Sequence, residues 1–132
     1  MSQENIETAS RFKSNFTNLL ADLSDTMQAK PEIVAGLQVL KKMVQDCPAP
    51  FLIRLFLDHI NERLTPESTT LLEDFNEGKF FSVLRAFLDK IPVSDTLKLG
   101  SEIDFMSFDD DDKDMYVNYL QSFFRQGSKY VV

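Results

Sequence analysis

The sequence predicts an all-α protein, a compact single-domain bundle of about five or six helices. Three observations carry that prediction. Apolar residues recur every three or four positions along most of the chain, the period of a helix with one buried face. Glycine and proline are scarce, 4 and 5 in 132 residues, too few for the turns of an all-β fold. The prolines stand at the borders of the periodic segments, where a helix tolerates them. A length of 132 residues suits one domain, and 43% hydrophobic content with 12 phenylalanines supplies its core. There is no internal repeat, low-complexity linker or second domain, so residues 1–132 read as one unit.

The first helix is expected from about Glu4 to Leu23, burying Ile6, Ala9, Phe12, Phe16, Leu19, Leu20 and Leu23 as one stripe. Pro31 fits a first helical position, where its missing N–H costs nothing. The second helix follows through Ile33, Val34, Leu37, Leu40 and Val44 and stops near Cys47-Pro48-Ala49-Pro50. A third, from about Ala49 to Leu64, carries Phe51, Leu52, Ile53, Leu55, Phe56, Leu57 and Ile60 around most of its circumference. Its narrow polar face predicts a central helix packed on several sides.

Thr65-Pro66-Glu67 is a helix start, with Thr as N-cap and Pro at the first position. A short helix from there would reach Phe75 before a turn at Asn76-Glu77-Gly78. The segment Phe80 to Leu88 makes the next helix, stopped by Pro92. Residues 93–108 read as an irregular connector within the domain, with a short turn around Ile103-Asp104-Phe105. The last helix begins among Asp109, Asp110, Asp111 and Asp112 and runs to about Gln126. Negative charge there matches the helix dipole, and Gly127 fits a left-handed C-terminal cap.

A net charge of −7, with lysines and arginines dispersed, opposes binding to a phosphate backbone, so no direct nucleic-acid contact is expected. A protein partner with a basic surface suits that charge better. The single cysteine, Cys47, excludes an intrachain disulfide and a cysteine-pair zinc site. The N-terminus has no secretory pattern, and the longest apolar run, Phe51 to Leu57, is broken by Arg54. That run is far below the ~20 residues of a membrane span. The expected setting is cytosolic or nuclear, or inside an assembled particle, neither secreted nor membrane-bound.

The aspartate run invites a calcium reading and fails it. Lys113 takes a ligand position, the loop glycine is missing, and Leu120 stands where a bidentate Glu belongs. Helix-start charge explains the run without a ligand, each well-placed carboxylate contributing ~0.3–1 kcal/mol. Asp109 to Lys113 also spells the enterokinase recognition sequence, here read as coincidence at a helix start. His59, the one histidine, and Cys47 carry no local catalytic signature. No Walker loop, dinucleotide fingerprint, serine elbow or paired-histidine motif occurs. The expectation is a non-enzymatic protein without cofactor or metal.

Aromatic residues concentrate near the C-terminus beside the acidic run. Tyr116, Tyr119, Leu120 and Phe123 form a core-facing stripe, whereas Phe105, Phe108, Phe124 and Tyr130 are candidates for an exposed hot spot.

Four segments occur in a familiar order: Phe12-x-x-x-Phe16-x-x-Leu19-Leu20-x-x-Leu23, Cys47-Pro48-Ala49-Pro50, Asn76-Glu77-Gly78-Lys79-Phe80-Phe81 and Tyr116-Val117-Asn118-Tyr119-Leu120-Gln121. In these the chain resembles small, uncharacterised all-helical proteins encoded by nucleocytoplasmic large DNA viruses of algae and protists. Those proteins usually carry a tryptophan-bearing segment before an aromatic–Leu–Gln helix; here Met115-Tyr116 and Phe105 occupy that region and tryptophan is absent. The resemblance implies a virus-encoded accessory or assembly protein, acting in the infected cell's cytoplasm or in the virion. It carries over no catalytic residues.

The first expectation is therefore protein–protein docking through the acidic C-terminal region, Asp109 to Asp112, with Phe105, Phe108, Phe124 and Tyr130 beside it. The second is a structural, capsid-associated protein that self-associates as a homo-oligomer. A third, from another class, is a small Cys47/His59 hydrolase.

Overall fold

A computed structural model of the chain describes residues 3–63, 77–90 and 103–130. It is all-α: the described residues form five helices, α1 (Gln3–Thr26), α2 (Pro31–Asp46), α3 (Ala49–Arg63), α4 (Glu77–Lys90) and α5 (Asp110–Lys129), with a 3-10 turn at Phe105–Ser107. No strand occurs among the described residues. The expected helix over residues 65–75 and most of the connector at 93–108 lie outside them.

Helix α1 organises the bundle, packing against α2, α3 and α5. Its stripe from Ala9 to Leu23 is wholly buried, and the phenylalanines on it reach three other helices. The Phe12 ring lies 5.1 Å from both Phe56 of α3 and Phe123 of α5. Phe16 meets Phe87 of α4 edge-on at 5.6 Å, and Phe87 in turn meets Phe56 at 5.2 Å. Tilted and edge-to-face rings at these separations add to the area they bury. Ile6 departs from the expected stripe: it is exposed, and Asn5 is buried in its place. Helix α1 also runs a turn further than expected, to Thr26. Its last hydroxyls turn back, Ser24 to the Leu20 carbonyl and Thr26 to that of Asp22, both at 3.0 Å.

Pro31 opens α2 as predicted, with the Lys30 carbonyl accepting from Ile33 and Val34. Cys47 ends it in an extended conformation, the one favoured before proline. The Pro48 carbonyl then accepts from Leu52, so α3 starts at once, with Pro50 in a first turn that needs no proline N–H. Lys13 of α1 holds this junction from outside. Its ammonium donates to the carbonyls of Gln45 at 2.8 Å and Cys47 at 2.6 Å, at the negative end of α2.

Helix α3 packs on several sides, as its composition predicted, against α1, α4 and α5, but one side of it stays open. Leu52, Ile53 and Phe56 are buried, but Leu55 and Leu57 are half-buried and Phe51 is 60% exposed. Glu77 and Gly78, expected in a turn, are instead the first residues of α4. Gly127 is not a left-handed cap either. It lies inside α5 without a positive φ, and a Cβ there would stand 3.0 Å from Leu57 Cδ2. The glycine allows close approach of α5 to α3, and the helix continues to an extended Tyr130.

Candidate functional site

The four aspartates at the start of α5 have four different surroundings. Asp109 is the N-cap: its Oδ1 accepts from the Asp112 backbone N–H at 2.9 Å. Asp110, almost fully exposed, lies 3.6 Å from the Lys113 ammonium. Asp112 is half-buried near the Tyr116 phenol. Asp111 faces an open groove between α1 and α5. The enterokinase-like sequence thus occupies the cap and first turn of a helix.

That groove, about 530 Å³, is the strongest candidate site. Asp22 from α1 and Asp111 and Asp114 from α5 line it together with Met115 and Tyr119. Asn15 of α1 and Ser122 of α5 join across it, the amide donating to the hydroxyl at 3.0 Å. Each helix contributes a polar stripe: Asn15 and Asp22 are two turns apart, and Asp111, Asp114 and Asn118 follow three- and four-residue steps. Those stripes were legible as surface faces. Their meeting was not, because no local pattern reveals that the first and last helices adjoin.

Tyr119 lines the groove, and the fully buried Tyr116 precedes it by about one turn of α5. Tyr119 donates to Asp22 Oδ2 at 2.5 Å, and the Tyr116 hydroxyl lies 2.6 Å from that of Thr26. Burial, opposed by the Thr26 hydrogen bond and reinforced by Asp112, Asp22 and Asp25, pushes the Tyr116 phenol up to about 12. Burial, then the bond to Asp22 and that carboxylate's charge, raises Tyr119 as well. Both phenols therefore stay protonated and neutral across the physiological range.

The aromatic half of the expected surface is corrected. Phe105 is completely buried, and Phe124 and Tyr130 are each only 6% exposed. Phe105 stacks on Phe81 at 5.1 Å and meets Tyr116 edge-on at 5.4 Å, so it pins the 3-10 turn between α4 and α5. Phe124 meets Phe56 edge-on at 5.9 Å. Phe108 is half-buried against Phe105 and Tyr116. These rings serve the core because their partners lie on distant helices. Among the described residues the large exposed apolar side chains are others: Ile6, Val39, Met43, Phe51 and Met106.

Cys47 is half-buried, and burial pushes its thiol above the ordinary value despite the opposing charge of Lys13. A raised thiol is the poorly nucleophilic, protonated form. The His59 side chain lies outside what the structure describes. Among the described residues no group of three or more His, Cys, Asp or Glu could hold a metal ion. No described helix is long and apolar enough to cross a membrane. No family model matches the chain, and neither does any curated protein or solved structure.

Proposed function

We propose that this chain is a non-enzymatic docking domain whose groove between α1 and α5 takes a basic segment of a partner protein. The observation that carries this reading is the convergence of Asp22, Asp111 and Asp114, from two helices, on one open groove. Carboxylates so placed attract Lys and Arg side chains, and the net charge of −7 steers them in from a distance. Met115 offers an adaptable apolar surface for their aliphatic stems. Asn15, Asn118 and Ser122 offer amide and hydroxyl groups to a peptide backbone. The setting we attach to it, a virus-encoded accessory protein in an infected cell's cytoplasm or in the virion, rests on the sequence resemblance alone.

Two variants of equal net charge test the reading against an arginine-rich peptide by stopped-flow association. Asp111→Asn with Asp114→Asn removes charge from the groove, whereas Glu32→Gln with Asp46→Asn removes it from exposed positions on α2, outside the groove. The groove pair is expected to slow association several-fold and flatten its salt dependence, with the other pair close to wild type. Equal slowing by both pairs would reduce the effect to overall charge and remove the groove from the proposal.

A further inference from the structure

We propose a second, independent interaction surface: the face of α3 bearing Phe51, Arg54, Leu55 and Asp58 binds the same face of another copy of this chain. These four residues are spaced as one helical stripe. Phe51 is 60% exposed and lines, with Pro48, Pro50 and Leu55, a cleft of about 520 Å³ bordered by Arg54 and Asp58. The cleft shares no lining residue with the acidic groove between α1 and α5.

An exposed phenylalanine does not name its partner; the charges beside it do. Arg54 and Asp58 are exposed, opposite in sign and one turn apart, yet among the described residues neither has a hydrogen-bond or ion-pair partner. With arginine N-terminal to aspartate, the pair has the weaker orientation for bonding within its own helix. A two-fold axis satisfies both at once, because an isologous contact occurs twice. Arg54 of one copy then meets Asp58 of the other, and the reverse, with Leu55 near the axis and Phe51 packing outside each ion pair.

Overall charge favours this location for self-association. Two copies carrying −7 each repel wherever their acidic faces approach. The stripe on α3 is locally neutral, so apolar contact there is not opposed by like charge. A basic partner is drawn to the acidic groove instead, which leaves a second copy as the occupant that the pattern on α3 selects.

Sedimentation velocity of the full chain over a concentration series tests the proposal. Wild type is expected to show a reversible monomer–dimer equilibrium. Phe51→Ser, Arg54→Asp and Asp58→Arg should each weaken the dimer by about tenfold or more, with unchanged helical circular dichroism because all three side chains are exposed. An equimolar mixture of Arg54→Asp and Asp58→Arg proteins should regain the dimer, since each cross-pair is then opposite in sign. A wild type that sediments as a monomer throughout would overturn the proposal. So would a dimer that survives any of the three substitutions, or a mixture that stays monomeric.

Discussion

Tyr119 of α5 donates its phenolic hydrogen to Asp22 of α1 at 2.5 Å, a contact spanning 97 residues of sequence. It fixes one wall of the acidic groove and ties the last helix to the first. Tyr119→Phe keeps the ring and removes only the hydroxyl, so packing against Phe123 at 6.3 Å is preserved. The expected loss is about 1–2 kcal/mol of unfolding free energy in urea, toward the low end for a hydrogen bond to a charged acceptor because both residues are half-buried. In a double-mutant cycle with Asp22→Ala, which removes the acceptor, the two losses should fall short of additivity. Full additivity would mean that the bond contributes nothing to stability.

The same phenols predict a loss of stability in alkali. Tyr116 and Tyr119 are both raised in the folded protein, Tyr116 to about 12 from a reference of 10.0. Between those values the unfolded chain releases phenolic protons that the folded chain retains, so the unfolded state binds fewer protons and stability falls as pH rises. Below the unfolded value neither state ionises these groups, and their contribution is constant. Urea midpoints measured from pH 9 upward should decline in wild type. In a Tyr116→Phe/Tyr119→Phe protein the decline should be shallower, whatever its absolute stability. Parallel slopes in the two proteins would show that these phenols are not the groups responsible.

Asp109 and Asp110 are chemically identical neighbours, and the structure gives them unequal work. Asp109 Oδ1 accepts the Asp112 N–H, while Asp110 projects into solvent beside Lys113. Replacing an N-cap aspartate with alanine costs about 1 kcal/mol. An exposed carboxylate in the first turn contributes ~0.3–1 kcal/mol through the dipole, and less as salt is added. Asp109→Ala should therefore destabilise more than Asp110→Ala, and the gap should widen in 1 M salt. Equal effects of the two substitutions would leave the run as undifferentiated charge.

What was legible in the chain was whatever short-range pattern governs. The helices at Pro31 and at the aspartate run began where proline and N-cap chemistry require. The stripe from Ala9 to Leu23 was buried as its period demands. Long-range partners decided the rest. A nearly all-apolar α3 does not reveal which side is covered, and Phe51 lies on the open one. Phe105, Phe124 and Tyr130 resemble surface aromatics only until Phe81, Phe56 and the α3 cleft are brought against them. The groove's acidic character could be read from Asp111, but its partner Asp22 sits on a helix that nothing local connects to α5.

Gly127 makes the same point in a form that can be measured. Two physical effects compete there. Alanine in place of a helical glycine recovers about 1 kcal/mol of backbone entropy. Against that gain, the new Cβ would lie 3.0 Å from Leu57 Cδ2, so Leu57 must give way by a few tenths of an ångström. Leu57 is half-buried and its contact is the end of a flexible side chain, so it can yield. Gly127→Ala should therefore lie within about 1 kcal/mol of wild type. Gly127→Leu drives a branched side chain into the seam between α3 and α5, and should cost about 1–3 kcal/mol through overpacking. Pairing it with Leu57→Ala should recover part of that loss by making room across the seam. Thermal unfolding of the single and paired variants decides it. A Gly127→Leu protein as stable as wild type would show that α5 does not approach α3 closely at this residue.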